Sequence, residues 1–345
     1  MYAQVAELPY VTANSLRALG KIRTRPEDFR VDEVPAYPPG GQGTHLFIHF
    51  EKRNLTTREA ITRIASALQV NPRNVGVAGQ KDKHALTTQW ASFEGATPEA
   101  AVSLKLPDIR ILTASRHPHK LRTGHVRANR FVLTLRETID VDAAREVLAQ
   151  LVRIGVPNYY GEQRFGAGER NVARAYAMLR GESAPPRDHF ERKLLMSALQ
   201  SSLFNRWLAT RIADGLFETA IHGDVWRKEE TGGLFTDDDA ASVQARMNAW
   251  EISPTGPMFG AKMRRAEHEA DAREQAILAS SGLDVDAFVR FAKYGEGTRR
   301  SARVRPIDCR CELDREENAL RIAFELPSGA YATTVLREIM KTEPT

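Results

Sequence analysis

The 345-residue sequence contains only two cysteines, and it has no apolar run that approaches the length of a membrane span. Cys309 and Cys311 would share one face of a strand, which is poor geometry for a disulfide between neighbours. Two cysteines without a histidine pair at ligand spacing do not make a zinc site. The N-terminus also lacks the basic and apolar regions of a secretion signal. The sequence therefore predicts buried free thiols in a reducing compartment, and hence a cytoplasmic protein.

The common nucleotide-binding loops are absent as well, because the sequence contains neither a Walker A motif nor Gly-x-Gly-x-x-Gly. We find no internal repeat and no low-complexity tract. A hydrophobic content of 42% with 27% charged residues is typical of a globular protein, and the length favours two domains.

Acidic residues are missing from two basic segments. Residues 109–136 contain seven Lys or Arg and no acid, and a second acid-free cluster contains Arg299, Arg300, Arg303 and Arg305. The net charge is +5. The two segments could meet on one phosphate-binding surface, or they could form two separate solvated faces, and charge alone favours neither.

Both ends of the chain combine strand and helix patterns. Leu46, Ile48 and Phe50 alternate as in a strand, and Thr56 with Glu59 forms a capping box that predicts the start of a helix. Residues 171–281 show mainly helical periodicity instead. The sequence therefore predicts an α+β fold interrupted by an inserted helical domain.

The segment at residues 79–90, GQKDKHALTTQW, is the strongest candidate for chemistry. It follows a short apolar run that predicts a buried strand, and Gly79 begins a loop in which Asp82 lies between Lys81 and Lys83. Two flanking ammonium groups favour an ionised carboxylate, the form that a nucleophile or base requires. The charge pattern by itself favours a solvated turn.

This segment closely resembles the motif around the catalytic aspartate of the TruD family of tRNA pseudouridine synthases. Further strings resemble that family in the same order over nearly the whole chain. They are residues 26–31 (PEDFRV) with Glu33, 43–46 (GTHL), 51–52 (EK) with 56–57 (TT), 129–131 (NRF), 157–166 (PNYYGEQRFG), 252–260 (ISPTGPMFG) and 326–333 (LPSGAYAT). Seven such matches in order are far more specific than any one of them.

The resemblance implies an α+β pseudouridine-synthase core with a mixed, largely antiparallel sheet flanked by helices. It places the catalytic domain at residues 1–160 and 307–345, and a mainly helical insertion domain at residues 161–306. It implies isomerisation of uridine to pseudouridine in tRNA, typically uridine 13 in the D-arm and most typically in the glutamate-specific tRNA. No cofactor and no metal are implied.

The reaction breaks the bond between ribose C1′ and uracil N1 and joins C1′ to C5 of the same base. The resemblance makes Asp82 the catalytic residue, which either attacks C1′ or takes a proton from C2′. The sequence leaves both routes open.

The resemblance also implies a set of substrate contacts. Phe131 is expected to stack on the extruded base and Asn129 to bind its polar edge, although strand periodicity favours a core position for Phe131. Apart from the resemblance, Lys81 and Lys83 could neutralise Asp82 or contact phosphate, and phosphate contact is expected because an extended backbone would direct both side chains away from Asp82. The full set of predicted substrate-binding residues is Phe29, Asn129, Phe131, Tyr331, Lys81 and Lys83.

Two details of this site stay open at the level of sequence. Tyr331 stands where the family usually has Phe, and its hydroxyl then needs a partner or water. A cationic partner for Asp82 is expected, and Lys21, Arg23 and Arg164 are the candidates.

Two rival functions use the same residues. One is a non-catalytic RNA-binding protein, against which the intact Asp82 motif argues. The other is a carboxylate-dependent hydrolase, which needs a second carboxylate, and only Glu33 and Glu162 lie within the motifs. We expect tRNA as the partner, no membrane association and a monomer.

Overall fold

A computed structural model describes residues 8–138 and 140–342. The strands are β1 Phe29–Pro35, β2 His45–Arg53, β3 Gly76–Val77, β4 Leu86–Glu94, β5 Ile109–His117, β6 Val126–Arg136, β7 Val156–Pro157, β8 Trp226–Lys228, β9 Leu234–Phe235, β10 Ile252–Met258, β11 Thr298–Ser301, β12 Arg303–Val304, β13 Ile307–Asp314 and β14 Ala319–Pro327. The α-helices are α1 Thr57–Ala67, α2 Pro98–Val102, α3 Val141–Ile154, α4 Arg170–Leu179, α5 His189–Ala213, α6 Ala240–Asn248, α7 His268–Ser280, α8 Val285–Val289 and α9 Ala332–Met340. The α+β class predicted from the sequence is confirmed.

The chain forms two compact units, which we name the sheet unit and the helical unit. The sheet unit comprises Ser15–Val152, Pro306–Ala332 and residues 339–342, and the helical unit comprises residues 8–14, Arg153–Arg305 and Thr333–Glu338. This division is based on packing within the structure. The domain boundaries predicted from the sequence, residues 1–160 with 307–345 and residues 161–306, stay a prediction.

The sheet unit is built on one sheet with the strand order β13-β14-β6-β1-β4-β2-β5, and β3 pairs with β4. Neighbouring strands are antiparallel except for β1 and β4, which are parallel. This is the mixed, largely antiparallel sheet that was predicted.

Helix α1 begins at the predicted capping box. The Thr56 hydroxyl accepts from the Glu59 N–H at 3.1 Å, and the Glu59 carboxylate accepts from the Thr56 N–H at 2.7 Å. Ile61 and Ile64 of the helix pack against the alternating apolar residues of β2. The first turn of α1 is thereby fixed beside the end of β2, where the candidate active site lies.

The helical unit buries one apolar stripe of α5, formed by Leu195, Leu199, Leu203 and Trp207, in agreement with the helical periodicity of this part of the sequence. The middle of the chain also contains a sheet that the sequence analysis did not predict, with the order β11-β10-β8-β9. The prediction of a mainly helical segment was therefore incomplete.

No helix in the described parts of the chain combines the length and the apolar character needed to span a bilayer.

Candidate active site

Asp82 lies in the loop that joins β3 to β4, as the sequence predicted. Its side chain is exposed, while Ala78 at the beginning of the loop and Ala85 at its end are buried. The loop is therefore anchored at both ends by buried residues, and it exposes the Asp82 carboxylate to solvent between them.

Hydrogen bonds from β2 and α1 hold the backbone of this loop on either side of the Asp82 side chain. The Lys52 ammonium donates to the carbonyl oxygens of Asp82 and Leu55, both at 2.6 Å. The Lys81 N–H donates to the Thr57 hydroxyl at 2.9 Å. The last residues of β2 and the first residue of α1 thus set the position of Asp82.

Lys81 does not fit the phosphate contact predicted for it. Its ammonium lies 2.6 Å from a carboxylate oxygen of Glu33, and the two side chains are only 6% and 1% exposed. The other oxygen of Glu33 accepts from the Trp90 N–H at 3.0 Å. Glu33 is fully engaged in this way, which leaves it unsuited to the second acid or base of a hydrolase. Lys83 is exposed, as a phosphate contact requires.

Phe29 and Phe131 form part of an aromatic cluster on one face of the sheet. Their ring centroids are 6.4 Å apart in an edge-to-face arrangement, and Phe131 also lies 5.5 Å from Phe324. Phe29 is 2% exposed and Phe131 6%. Neither ring exposes enough surface in this structure to stack on a nucleobase. Both residues therefore occupy core positions, as strand periodicity favoured for Phe131.

Register places a row of polar side chains on that same face. Val31 pairs with both Thr87 and Phe131, and Glu33 pairs with Asn129. Gln89 follows Thr87 by two residues, so its side chain lies on the same face. The row brings Asn129, a predicted site residue, together with two residues that the sequence analysis did not select.

Six buried polar atoms among the described residues of the sheet unit lack a hydrogen-bond partner, and four of them belong to this row and to Arg23: Arg23 Nε, Thr87 Oγ1, Gln89 Nε2 and Asn129 Oδ1. The Thr57 hydroxyl donates to Gln89 Oε1 at 2.9 Å, which directs the amide nitrogen away from that contact. Buried polar atoms are usually paired, so a cluster of unpaired ones suggests a ligand. Together these atoms include donors and an acceptor, as the edge of uracil requires.

The three candidates for the cationic partner of Asp82 have different surroundings. The Lys21 ammonium pairs with Glu137 at 2.8 Å and is 66% exposed, and Arg164 donates to the hydroxyls of Ser197 and Ser201 in the helical unit. The Arg23 guanidinium lies 4.4 Å above the Phe29 ring. Of the three, Arg23 alone lies against a predicted site residue.

Several arginines of the two basic segments are engaged within the protein. Arg136 pairs with Asp28 at 2.7 Å and Glu317 at 2.6 Å, and these carboxylates raise the pKa of its guanidinium. Arg299 pairs with buried Glu274 at 2.7 Å. The sequence left two alternatives for the basic segments, a shared phosphate-binding surface or separate solvated faces. Arg136 and Arg299 fit neither alternative, because both are paired with carboxylates of the protein.

One group of possible metal ligands occurs among the described residues, namely His222, Asp238 and His268, whose ligand atoms lie within 4.8 Å of one another. The two imidazole rings are stacked 4.1 Å apart and nearly parallel. Their in-plane lone pairs therefore run side by side and do not converge on one ion. Cys309 and Cys311 are free and partly buried, and burial raises the pKa of the Cys309 thiol to about 11.

The chain was compared with protein families, curated proteins and solved structures. Residues 6–184 and 189–339 match the family model for tRNA pseudouridine synthase D (TruD). A tRNA pseudouridine synthase D of Anaeromyxobacter dehalogenans is 51% identical over 98% of both chains, and one of Thermus thermophilus is 41% identical over 97% of this chain and 92% of its own. A crystal structure from Methanosarcina mazei that is described as a tRNA pseudouridine synthase D aligns with a TM-score of 0.77 and 23% identity, over 97% of this chain and 96% of the other.

Proposed function

This chain belongs to the tRNA pseudouridine synthase D family, and we propose that it isomerises uridine 13 in the D-arm of tRNA, most typically of the glutamate-specific tRNA. The activity of a tRNA pseudouridine synthase follows from the family, and the target nucleotide and tRNA are the proposal. The observation that carries the site assignment is an exposed Asp82 on an anchored loop of the sheet unit, which also presents buried polar atoms without partners.

Asp82 carries out the covalent chemistry in this proposal. Either its carboxylate attacks ribose C1′ and displaces uracil as an anion, or it takes the C2′ proton as the C1′–N1 bond breaks, which gives a glycal and the uracil anion. Uracil then turns so that C5 faces C1′, and the C5–C1′ bond forms with release of the Asp82 carboxylate in the first route or with return of the proton to C2′ in the second. Loss of the C5 proton and protonation of N1 restore the aromatic base. Carboxylates are ionised at neutral pH, so both routes begin from the form already present.

The extruded uracil is proposed to bind beside the row of Thr87, Gln89 and Asn129. Uracil offers two carbonyl acceptors and one N–H donor, which match the Gln89 amide donor and the Asn129 carbonyl acceptor. Enzymes that act on a base must take it out of the stack and hold it by such contacts. Stacking on Phe131 stays a prediction, and it requires one face of that ring to become accessible when RNA binds.

Phosphate contact is proposed for Lys83, whose exposed ammonium can meet the RNA backbone beside the extruded nucleotide. Cytoplasmic localisation and a monomeric state also stay predictions. The isomerisation involves no net oxidation or reduction and adds no group to the substrate. We therefore propose that it needs neither metal nor cofactor.

Arg23 is proposed as the cationic partner of Asp82. We expect Arg23→Met to lower kcat on the order of 10²-fold, because the Asp82 carboxylate loses the cation that holds it in position to react. The measurement is single-turnover pseudouridine formation, with Lys21→Met as the comparison. A larger loss for Lys21→Met would assign the partner to Lys21 instead.

Tyr331 is proposed to contribute its ring rather than its hydroxyl. Tyr331→Phe is expected to leave activity nearly unchanged, while Tyr331→Ala removes the aromatic surface and lowers kcat/KM by about tenfold or more. Steady-state kinetics on one tRNA transcript compares the two variants. A large loss for Tyr331→Phe would show that the hydroxyl takes part.

The central test is incubation of the purified protein with unmodified tRNA transcripts, followed by pseudouridine mapping at nucleotide resolution. We expect pseudouridine at position 13 of the glutamate-specific tRNA, and none when uridine 13 is replaced by cytidine. Release of free uracil would identify a hydrolase. Tight tRNA binding without pseudouridine would identify an RNA-binding protein.

A further inference from the structure

Lys52 is a buried cation to which the sequence analysis assigned no role. Its side chain is 0% exposed, although it lies at the end of β2 beside the active-site loop. A lysine in this position cannot reach solvent or a phosphate. Because buried charges are costly unless they are paired, its contacts require an explanation.

Those contacts lead directly to the active-site loop. The ammonium donates to the Asp82 carbonyl and to the Leu55 carbonyl at 2.6 Å each, so it joins the loop to the turn that precedes α1. Hydrogen bonds from a charged donor are roughly twice as strong as neutral ones. The residue that carries the proposed catalytic carboxylate is thus held through its own backbone by a buried positive charge.

We propose that Lys52 is the positioning residue of the active site, whose protonated ammonium fixes the Asp82 backbone and thereby aims its carboxylate at the ribose. The inference rests on the proposed function of Asp82. Misplacement of a reacting group by about 1 Å can lower a rate by 10²-fold, so a backbone clamp has a direct effect on kcat.

The protonation of this clamp depends on pH. Burial, with a smaller contribution from the Lys81 charge, lowers the pKa of Lys52 to about 8, and the carboxylates of Asp82 and Glu59 oppose the shift. As the pH rises through about 8, Lys52 loses its charge and the loop loses a charge-assisted anchor. Bound RNA is a polyanion and favours the protonated form, so the alkaline fall should be seen in kcat/KM, which reports the free enzyme, before it is seen in kcat.

The sign of the stability effect separates this role from simple unfolding. A lysine with a lowered pKa in the folded state is protonated more readily in the unfolded chain between about pH 8 and its ordinary value. Stability due to Lys52 therefore rises with pH over that window, while activity falls. If unfolding caused the loss of activity, stability and activity would instead fall together as the pH rises.

The experiment compares the wild-type protein with Lys52→Met, Lys52→Arg and the exposed-lysine control Lys105→Met. We expect Lys52→Met to lower kcat by about 10²-fold with unchanged tRNA affinity. Lys52→Arg should recover part of the rate and lose the alkaline limb near pH 8, since a guanidinium stays charged. Lys105→Met should behave as the wild type.

Hydrogen exchange of the amides at residues 79–85 gives a readout that does not depend on activity. We expect lower protection of this loop in Lys52→Met, and in the wild-type protein at pH 9 compared with pH 7. Wild-type kcat and protection in Lys52→Met would overturn the proposal, as would equal losses of kcat, tRNA affinity and thermal midpoint. Should Lys52→Met fail to fold, the wild-type pH series decides. If the wild type forms no pseudouridine, the proposed function fails while the exchange data still test the clamp.

Discussion

Asp82→Asn is expected to abolish pseudouridine formation, with a rate loss on the order of 10³-fold or more, while tRNA affinity is retained. Asparagine has nearly the same shape as aspartate, but its amide can neither attack C1′ nor take a proton from C2′. The Lys52 contact is to the backbone carbonyl of residue 82, so the loop anchor survives the substitution. The measurements are pseudouridine formation under single-turnover conditions and tRNA binding.

The matched control is Asp142→Asn, since the Asp142 side chain is 92% exposed on α3. It should have wild-type activity and affinity. If Asp82→Asn weakened tRNA binding as strongly as turnover, Asp82 would serve to build the site rather than to react. Residual activity near the wild-type level would exclude both catalytic routes.

The location of the active-site loop could be predicted from the sequence because its signals are local. An apolar run, a glycine and a carboxylate between two lysines lie within a dozen residues, and the capping box at Thr56 and Glu59 sets the neighbouring helix through contacts within one turn. Periodicity likewise identified the strand that contains Phe131 and its buried parity.

The direction of the Lys81 side chain could not be predicted in this way. An extended backbone would place it opposite Asp82 towards solvent, but Glu33 lies 48 positions earlier in sequence and becomes its neighbour only through the parallel pairing of β1 and β4. Thr87 and Gln89 were overlooked for a related reason. Thr87 and Gln89 are polar residues at positions of β4 whose side chains face the core, and this was the signal that the sequence offered. They become candidates for a binding site only when Asn129, in β6, is seen on the same face.

Strand β10 shows a different limit. Its sequence, ISPTGPM, contains two prolines and a glycine, which argue against a central strand. The strand is nevertheless buried along its whole length between β8 and β11. A side chain at Gly256 would come within 2.4 Å of the Trp207 ring, so this position requires glycine for packing. Tertiary packing overrides local propensity here.

The buried Lys81–Glu33 ion pair leads to the second large expected effect, which concerns stability. Lys81→Met should destabilise the protein by about 3–5 kcal/mol, because it leaves the Glu33 carboxylate, only 1% exposed, without its cation. Urea unfolding measures the loss. The matched control is Lys262→Met, which removes an ion pair of similar length, 2.9 Å, whose partners are 70% and 62% exposed, and it should cost at most about 1 kcal/mol.

The double variant Lys81→Met/Glu33→Gln distinguishes an uncompensated charge from lost packing. Glutamine keeps the shape of Glu33 and removes its charge, so the double variant should be more stable than Lys81→Met alone. A coupling energy of about 1–3 kcal/mol between the two positions is expected, since residues in one buried network are not additive. Additive losses would mean that the two side chains stabilise the protein independently. Lys81 directly precedes Asp82, so Lys81→Met and the double variant should also lower kcat. Both variants lack the ion pair, so we expect them to lower kcat to a similar extent.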